Sequence, residues 1–205
     1  MKIEVQNNIP DVTVSVNQNA DGSFTIMLAK AMAGSKTLGS VKPGDTVTIG
    51  DREYIVLGHE NGITAIIAKT PTKTMAFGQD GNYAKSDIRA YCNGEFYEEL
   101  GKAVGKHNII PHTVNLVADD GSNKGASVTD FVSILTNDLY RRYREFIPAI
   151  GSSCWTATRV TTLDKDYAHF VYIVYSYGGV LLWDGCGFSR GVRPFCILNS
   201  SVLVS

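Results

Sequence analysis

The sequence predicts an α+β fold, on three observations. Strand-like segments come first, two helical segments follow, and more strands close the chain; that order favours helices gathered on one side of antiparallel sheets. Regular alternation of strand and helix is missing, which argues against a doubly wound nucleotide-binding architecture. Twenty glycines and only 19% charged residues in a chain of 205 point to many turns and few long helices.

Residues 1–40 differ from the rest and read as a β-rich attachment segment and linker. IEVQ (3–6), VTVSVNQ (12–18) and FTIMLA (24–29) alternate polar and apolar residues, as strands do. Asn19-Ala20-Asp21-Gly22 supplies a turn between the second and third. AKAMAGSKTLGS (29–40) is small, polar and glycine-containing, and reads as a linker. A lone hairpin buries too little surface to be stable by itself, so this segment is expected to dock on the main domain or on another protein.

Residues 41–205 form the second unit. TVTI, REYIVLG and ITAIIAK read as three strands, the last two joined through Asn61-Gly62, a pair suited to the positive φ of a tight turn. Ser86 is placed to cap a helix with Asp87 in its first turn. Ile88, Cys92, Phe96 and Leu100 then recur every four residues as one apolar stripe, and Asn93-Gly94 weakens the middle by about 1 kcal/mol. A second helix, TNDLYRRYREFI, carries Leu139, Tyr143, Phe146 and Ile147 on one face, with Pro148 just beyond. AHFVYIVYS, VLLWD, VRPFCIL and SVLV read as strands, with a turn at Tyr177-Gly178-Gly179.

Nineteen basic residues against twenty acidic ones leave a net charge near −1, so no electrostatic footprint for nucleic acid or an anionic membrane is present. The 44% apolar content suffices for one cored domain plus an appendage. The N-terminus has no hydrophobic signal segment and no apolar run nears the ~20 residues of a membrane span. Synthesis in a cytoplasm without export by the usual route is the expectation.

Sites of chemistry are sparse. Cys92, Cys154, Cys186 and Cys196 show no CxxC spacing and read as small buried apolar residues. His107 and His112 are five apart around a proline, which does not match a helical metal pair. Asp119-Asp120-Gly121-Ser122-Asn123 lacks the later glutamate of a calcium loop and reads as a turn. Arg141, Arg142 and Arg144 read as a solvated helix face. No nucleophile elbow, P-loop or dinucleotide fingerprint occurs, so no catalytic residue, metal ligand or cofactor is expected. The aromatics between Trp155 and Phe188 say more. Along FVYIVYSY one face carries Phe170, Tyr172 and Val174, and the other carries Val171, Ile173, Tyr175 and Tyr177. Either the strand is buried on both sides, or one side is a display surface of rigid rings suited to protein or sugar, framed by the loop Asp184–Arg190.

SDIRAYCNGEF (86–96), VSILTNDLYRRYREFI (132–147), CWTATR (154–159) and GVRPFCIL (191–198), in this order, resemble an uncharacterised bacterial and prophage domain family. Its members carry S-x-I-R-x-[YW]-L-N-x-x-F, a WWLRSP-like or WWLATP-like element and a terminal GVRPA. That family is similar to the formylglycine-generating-enzyme branch of C-type-lectin-like folds, and the resemblance covers residues 41–205. It implies a C-type-lectin-like domain in which the last strands return to pair near the first. It also implies a scaffold of Arg89, Trp155 and Arg193. Arg193 would then be held by carbonyls or a carboxylate, Pro194 would sit at an edge or bulge, and Phe195, Ile197 and Leu198 would close the core. Cys154-Trp155 stands where the family doubles tryptophan, and Arg159 where it has proline. The calcium–sugar motifs of animal lectins are missing, Trp183-Asp184-Gly185 matching one only in part, and no catalytic cysteine pair can be placed.

What the resemblance implies for function is a non-catalytic phage or prophage virion structural protein, a decoration or tail component. Similar folds serve in phages as diversified ligand-binding tips, their variability lying in C-terminal strands and loops. Tyr172, Tyr175, Tyr177, Trp183, Phe188 and Arg190 are the expected contacts with a host cell-surface glycan or protein. The N-terminal segment would attach to other virion proteins, with the chain forming a homo-oligomer on the particle. The alternatives are a formylglycine-generating-type cysteine enzyme and a bacterial interaction module.

Overall fold

A computed structural model describes residues 12–18, 22–30, 35–178 and 181–205. The expected strand at 3–6, most of the turn at 19–22, part of the linker at 29–40, and Gly179 of the expected turn lie outside the described residues. Strands β1 (Val12–Gln18) and β2 (Phe24–Lys30) pair antiparallel, Val12 opposite Lys30. Among the described residues they form a two-stranded sheet of their own.

The rest begins with β3 (Lys36–Thr37), β4 (Thr46–Ile49), β5 (Arg52–Glu60), β6 (Ile63–Ala68) and β7 (Lys73–Ala76). Helix α1 (Asp87–Tyr91) continues through a π turn (Cys92–Phe96) into α2 (Tyr97–Val104). Short strands β8 (Ile109–Ile110), β9 (His112–Asn115), β10 (Ser127–Asp130) and β11 (Val132–Ser133) lead to α3 (Asn137–Arg142). The chain closes with β12 (Cys154–Arg159), β13 (Phe170–Val174), β14 (Leu181–Gly185), β15 (Ser189–Val192), β16 (Phe195–Asn199) and β17 (Leu203–Val204). With two helices set among antiparallel sheets, the fold class is α+β.

The largest sheet among the described residues runs β11-β16-β6-β5-β4, with β8 also on β16; a second, of five strands, runs β14-β13-β12-β15-β7, and β9 pairs with β10. Among the described residues, the parallel junction of this second sheet joins β12 to β15, Cys154 opposite Gly191. β17 pairs with β3, Leu203 opposite Thr37, so the last described strand lies beside one of the first.

Local chemistry accounts for the elements. Asn61 (φ 48°) and Gly62 (φ 81°) give the β5–β6 hairpin the twist its strands require. Ser86 Oγ accepts from the Arg89 N–H at 3.0 Å, the expected cap, and Ile88, Cys92, Phe96 and Leu100 are all buried. Asn93-Gly94 does not break the helix; it widens it into the π turn. There Asn93 Nδ2 donates to Val132 O at 2.9 Å, and its Oδ1 accepts from the Phe131 N–H at 3.0 Å. One side chain thereby stands in for a strand partner.

Two expectations need correction. The second helix ends at Arg142, because Tyr143 (φ −104°, ψ 13°) leaves helical geometry and a single 3₁₀ turn, Arg144–Phe146, follows. Leu139, Tyr143 and Phe146 therefore do not share a buried face; they are half-buried, while Asn137, Tyr140 and Ile147 go inside. VRPFCIL is likewise not one strand. β15 ends at Val192 in one sheet, β16 starts at Phe195 in the other, and Arg193-Pro194 is the corner. β6 and β7 make the same crossing alongside. Ala68 N–H donates to Pro194 O and Thr72 N–H to Val192 O, both at 2.9 Å. A single antiparallel ribbon thus turns from one sheet into the other, as strands do at the corners of packed sheets.

The proposed scaffold residues are all tied down. Arg89 reaches the buried Asp130 Oδ1 through Nε (2.9 Å) and Nη2 (2.8 Å), and Nη1 donates to Ala84 O. Trp155 is buried, donates Nε1–H to Met75 O at 3.0 Å and meets the Phe77 ring edge-on at 5.5 Å. Arg193 is buried and donates Nε–H to Ala68 O at 3.0 Å. Phe195 and Leu198 are buried and Ile197 half-buried. Among the described residues no helix is long and apolar enough to cross a membrane.

Candidate functional site

β13 resolves the two readings of its aromatic run. Val171 and Ile173 point into the core, and Phe170, Tyr172 and Val174 are half-buried on the other face. Opposite them on β14 stand Gly185, Trp183 and Leu181. β14 is the last strand of its sheet among the described residues, and Leu182 and Trp183 are 43% and 50% exposed.

Rings gather around Trp183. It meets Phe170 at 4.5 Å and Tyr167 at 6.4 Å, both edge-on, and Tyr167 lies 5.9 Å from Phe170. His169 sits 4.1 Å from Phe170. Phe188, 60% exposed, lies over Gly185, where a Cβ would stand 3.4 Å from the Phe188 ring and 4.0 Å from His169. A second pair lies past the end of β13: Tyr175 and Tyr177 meet edge-on at 5.6 Å, and Tyr177 is 82% exposed.

The polar groups at the rim are matched within the protein. Tyr172 OH donates to Asp119 Oδ2 at 2.9 Å. Burial, followed by that bond, pushes its phenol up to about 12. Asp119 Oδ1 also accepts from Asn137 Nδ2 and Arg141 Nη2. Asp120 closes the expected turn by accepting from Ser122 N–H and Thr161 Oγ1, bonds that hold its carboxyl below the usual range. Arg190 pairs with Asp184 through Nε at 2.8 Å and through Nη2, and its guanidinium lies 5.9 Å from the Phe188 ring centre.

The six expected contact residues thus divide. Trp183 and Phe188 belong to one exposed aromatic face, and Tyr175 and Tyr177 form a separate exposed pair. Tyr172 shares the first face, but its hydroxyl is engaged. Arg190 fastens Asp184 beneath Phe188. Sequence reasoning does not select Tyr167, His169 or Phe170 as contacts. The signal for the two outer rings is their place in the aromatic run, but nothing in the spacing marks His169.

The other candidate groups do not assemble. The four cysteines are free and buried. Burial pushes every thiol up: Cys92 and Cys196 strongly, Cys154 to about 11 against the lowering pull of Arg193, and Cys186 as well. His112 is bonded through Nε2 to Ser133 Oγ at 2.8 Å, with burial lowering its pKa, while His107 is exposed. Among the described residues no group of three His, Cys, Asp or Glu could hold a metal ion. Comparison of the chain with protein-family models, with curated proteins and with solved structures gives no match.

Proposed function

We propose that this chain is a non-catalytic phage or prophage virion structural protein displaying a C-type-lectin-like domain, with the Trp183 face as its contact with a host-surface glycan or protein. The observation that carries the reading is Trp183 on β14, the last strand of its sheet among the described residues, with Phe170, Tyr167 and Phe188 gathered around it. Trp183, Tyr167 and Phe188 are open to solvent and Phe170 is half-buried among them, with a charged rim at Asp184 and Arg190. Sugar faces and protein hot spots are recognised by aromatic surface of this kind. The lectin-like reading is supported by the return of the closing strands to β3 and β6. The non-catalytic reading is supported by four buried thiols, none with the lowered pKa a nucleophile needs. Attachment through the N-terminal hairpin is supported by Phe24 and Ile26, 38% and 51% exposed.

The test is binding of the purified full chain to host cells and to a glycan array, against a Trp183→Ala/Phe188→Ala variant. Loss of two central aromatic anchors is expected to weaken binding at least about tenfold. Undiminished binding by the variant would remove the aromatic face from the account. Loss of particle assembly on deleting residues 1–30, which leaves β3 and the buried Leu38 in the main fold, tests the attachment role separately.

A further inference from the structure

A polar pocket opens where β12 parts from β13. The register of that pair shifts between Trp155 and Arg159, as at a bulge. The segment 118–121 is fastened alongside, Asp119 N–H donating to Arg159 O at 3.0 Å and Asp120 N–H to Val160 O at 3.3 Å. Between this segment, α3 and β12 lies about 210 Å³ of free space, more than ten times the roughly 15 Å³ that one water needs. Asp119, Asn137, Asp138, Arg141 and Thr158 line it, with Val117 and Ala118 as its apolar patch. Its floor is fixed in advance. Asn137 is 2% exposed. Its backbone N–H donates to Thr158 Oγ1, its Oδ1 accepts from Thr156 Oγ1 and its Nδ2 donates to Asp119 Oδ1, all at 3.0 Å. A buried polar network satisfied in this way holds one geometry.

Bonding capacity is left on the solvent side. The Arg141 side chain is 57% exposed and uses Nη1 on Asp138 Oδ1 at 3.2 Å and Nη2 on Asp119 Oδ1 at 3.4 Å, so most of its N–H groups stay open. The Asp119 carboxylate accepts from Tyr172, Asn137 and Arg141, out of about four bonds it can take. Asp138, 77% exposed, accepts from Arg141 alone among the described residues. Charge decides the class of guest. A metal ion would meet the guanidinium that already pairs with both carboxylates, and an anion would meet two carboxylates against one guanidinium. Adjoining hydroxyls suit both signs: one donates to a carboxylate while its neighbour accepts from the guanidinium. We propose that this pocket binds a single neutral pyranose residue through such a pair of hydroxyls, with Val117 against its C–H face. Neither Trp183 nor Phe188 lines the pocket, so this inference stands whether or not the aromatic face binds sugar.

The experiment is an NMR titration of the isotope-labelled full chain with free glucose, galactose and mannose, with their methyl glycosides, and with glucuronate and glucosamine as charged counterparts. A neutral sugar is expected to shift the Asn137 side-chain amide and the Arg141 Nε–H at millimolar concentration, while the Trp183 indole N–H reports the aromatic face separately. Binding of the methyl glycosides supports a glycan end as the source; binding of free hexoses alone supports a soluble sugar. Arg141→Ala is expected to weaken the Asn137 response about tenfold, the weight of one charge-assisted hydrogen bond. Exposed ion pairs add little stability, so this variant is expected to keep the near-UV circular dichroism of the parent. The proposal is overturned if no neutral sugar shifts Asn137, if shifts appear at Trp183 alone, or if Arg141→Ala binds as well as the parent. Binding of glucuronate or glucosamine as tight as that of the best neutral sugar would overturn it too.

Discussion

Arg193 donates to the carbonyl of Ala68 at 3.0 Å across 125 positions of sequence, and the next residue, Pro194, accepts from the N–H of the same Ala68 at 2.9 Å. Both backbone groups of Ala68 are thus held by one dipeptide, at the point where the ribbon leaves one sheet for the other. Pro194 loses nothing there by lacking an N–H, since only its carbonyl faces the partner strand.

That arrangement makes the arginine's stability role testable. Replacing it with methionine removes the donor to Ala68 O, a loss of about 1–3 kcal/mol, and relieves a buried cation whose desolvation costs several kcal/mol. Arg193→Met is therefore expected to unfold within about 1 kcal/mol of the parent, or above it. Arg193→Ala, which adds a cavity, is expected to lose about 3 kcal/mol. Urea midpoints separate the two; a methionine variant as damaged as the alanine one would mean the charge itself supports the corner.

The Arg89–Asp130 pair should respond asymmetrically. The Asp130 side chain is 1% exposed and that of Arg89 33%. Arg89→Met strands a buried carboxylate, for which a loss of about 3–5 kcal/mol is expected. Asp130→Asn leaves a cation that water can reach, so its loss is expected to be smaller. Denaturation of both variants at neutral pH checks the order.

Alkaline pH should pick out Tyr172. Its folded-state value of about 12 lies above the ordinary 10. Folding therefore favours the neutral phenol, and the associated stability is full below pH 10 and fades as pH rises toward 12. At pH 7, Tyr172→Phe is expected to cost about 1 kcal/mol for the lost bond to Asp119. Unfolding curves of both proteins should converge between pH 10 and 12; a constant gap would mean the hydroxyl bond contributes nothing that titrates.

Thiol chemistry separates the virion reading from the cysteine-enzyme one. All four cysteines are expected to resist an aromatic disulfide reagent in the native protein at pH 8 and to react together once urea unfolds it. A single fast-reacting thiol would revive the enzymic reading.

Much of this was legible from residues that act locally. The Ser86 cap, the stripe from Ile88 to Leu100 and the Asn61-Gly62 hairpin each depend on neighbours within four positions, and each formed as read. The corner at Arg193-Pro194 was not legible, because Val192, Phe195 and Ile197 make one apolar run whether or not the chain changes sheets. The end of α3 was missed because apolar spacing continues past Tyr143 although the backbone does not. At the aromatic face, alternation along β13 defined two sides, but both are apolar, so the choice between them rests on distant packing. Tyr172 is committed by a carboxylate 53 positions away, which no spacing rule reports.

Seating β16 in mid-sheet, between β11 and β6, also sets the order of events during synthesis. Until Phe195–Asn199 leave the ribosome, the β6 edge made far earlier stays uncovered, and its run of isoleucines is open to pairing with other nascent chains. Products arrested short of Phe195 should therefore accumulate as insoluble material, whereas changes confined to the exposed Tyr175 and Tyr177 should leave yield untouched.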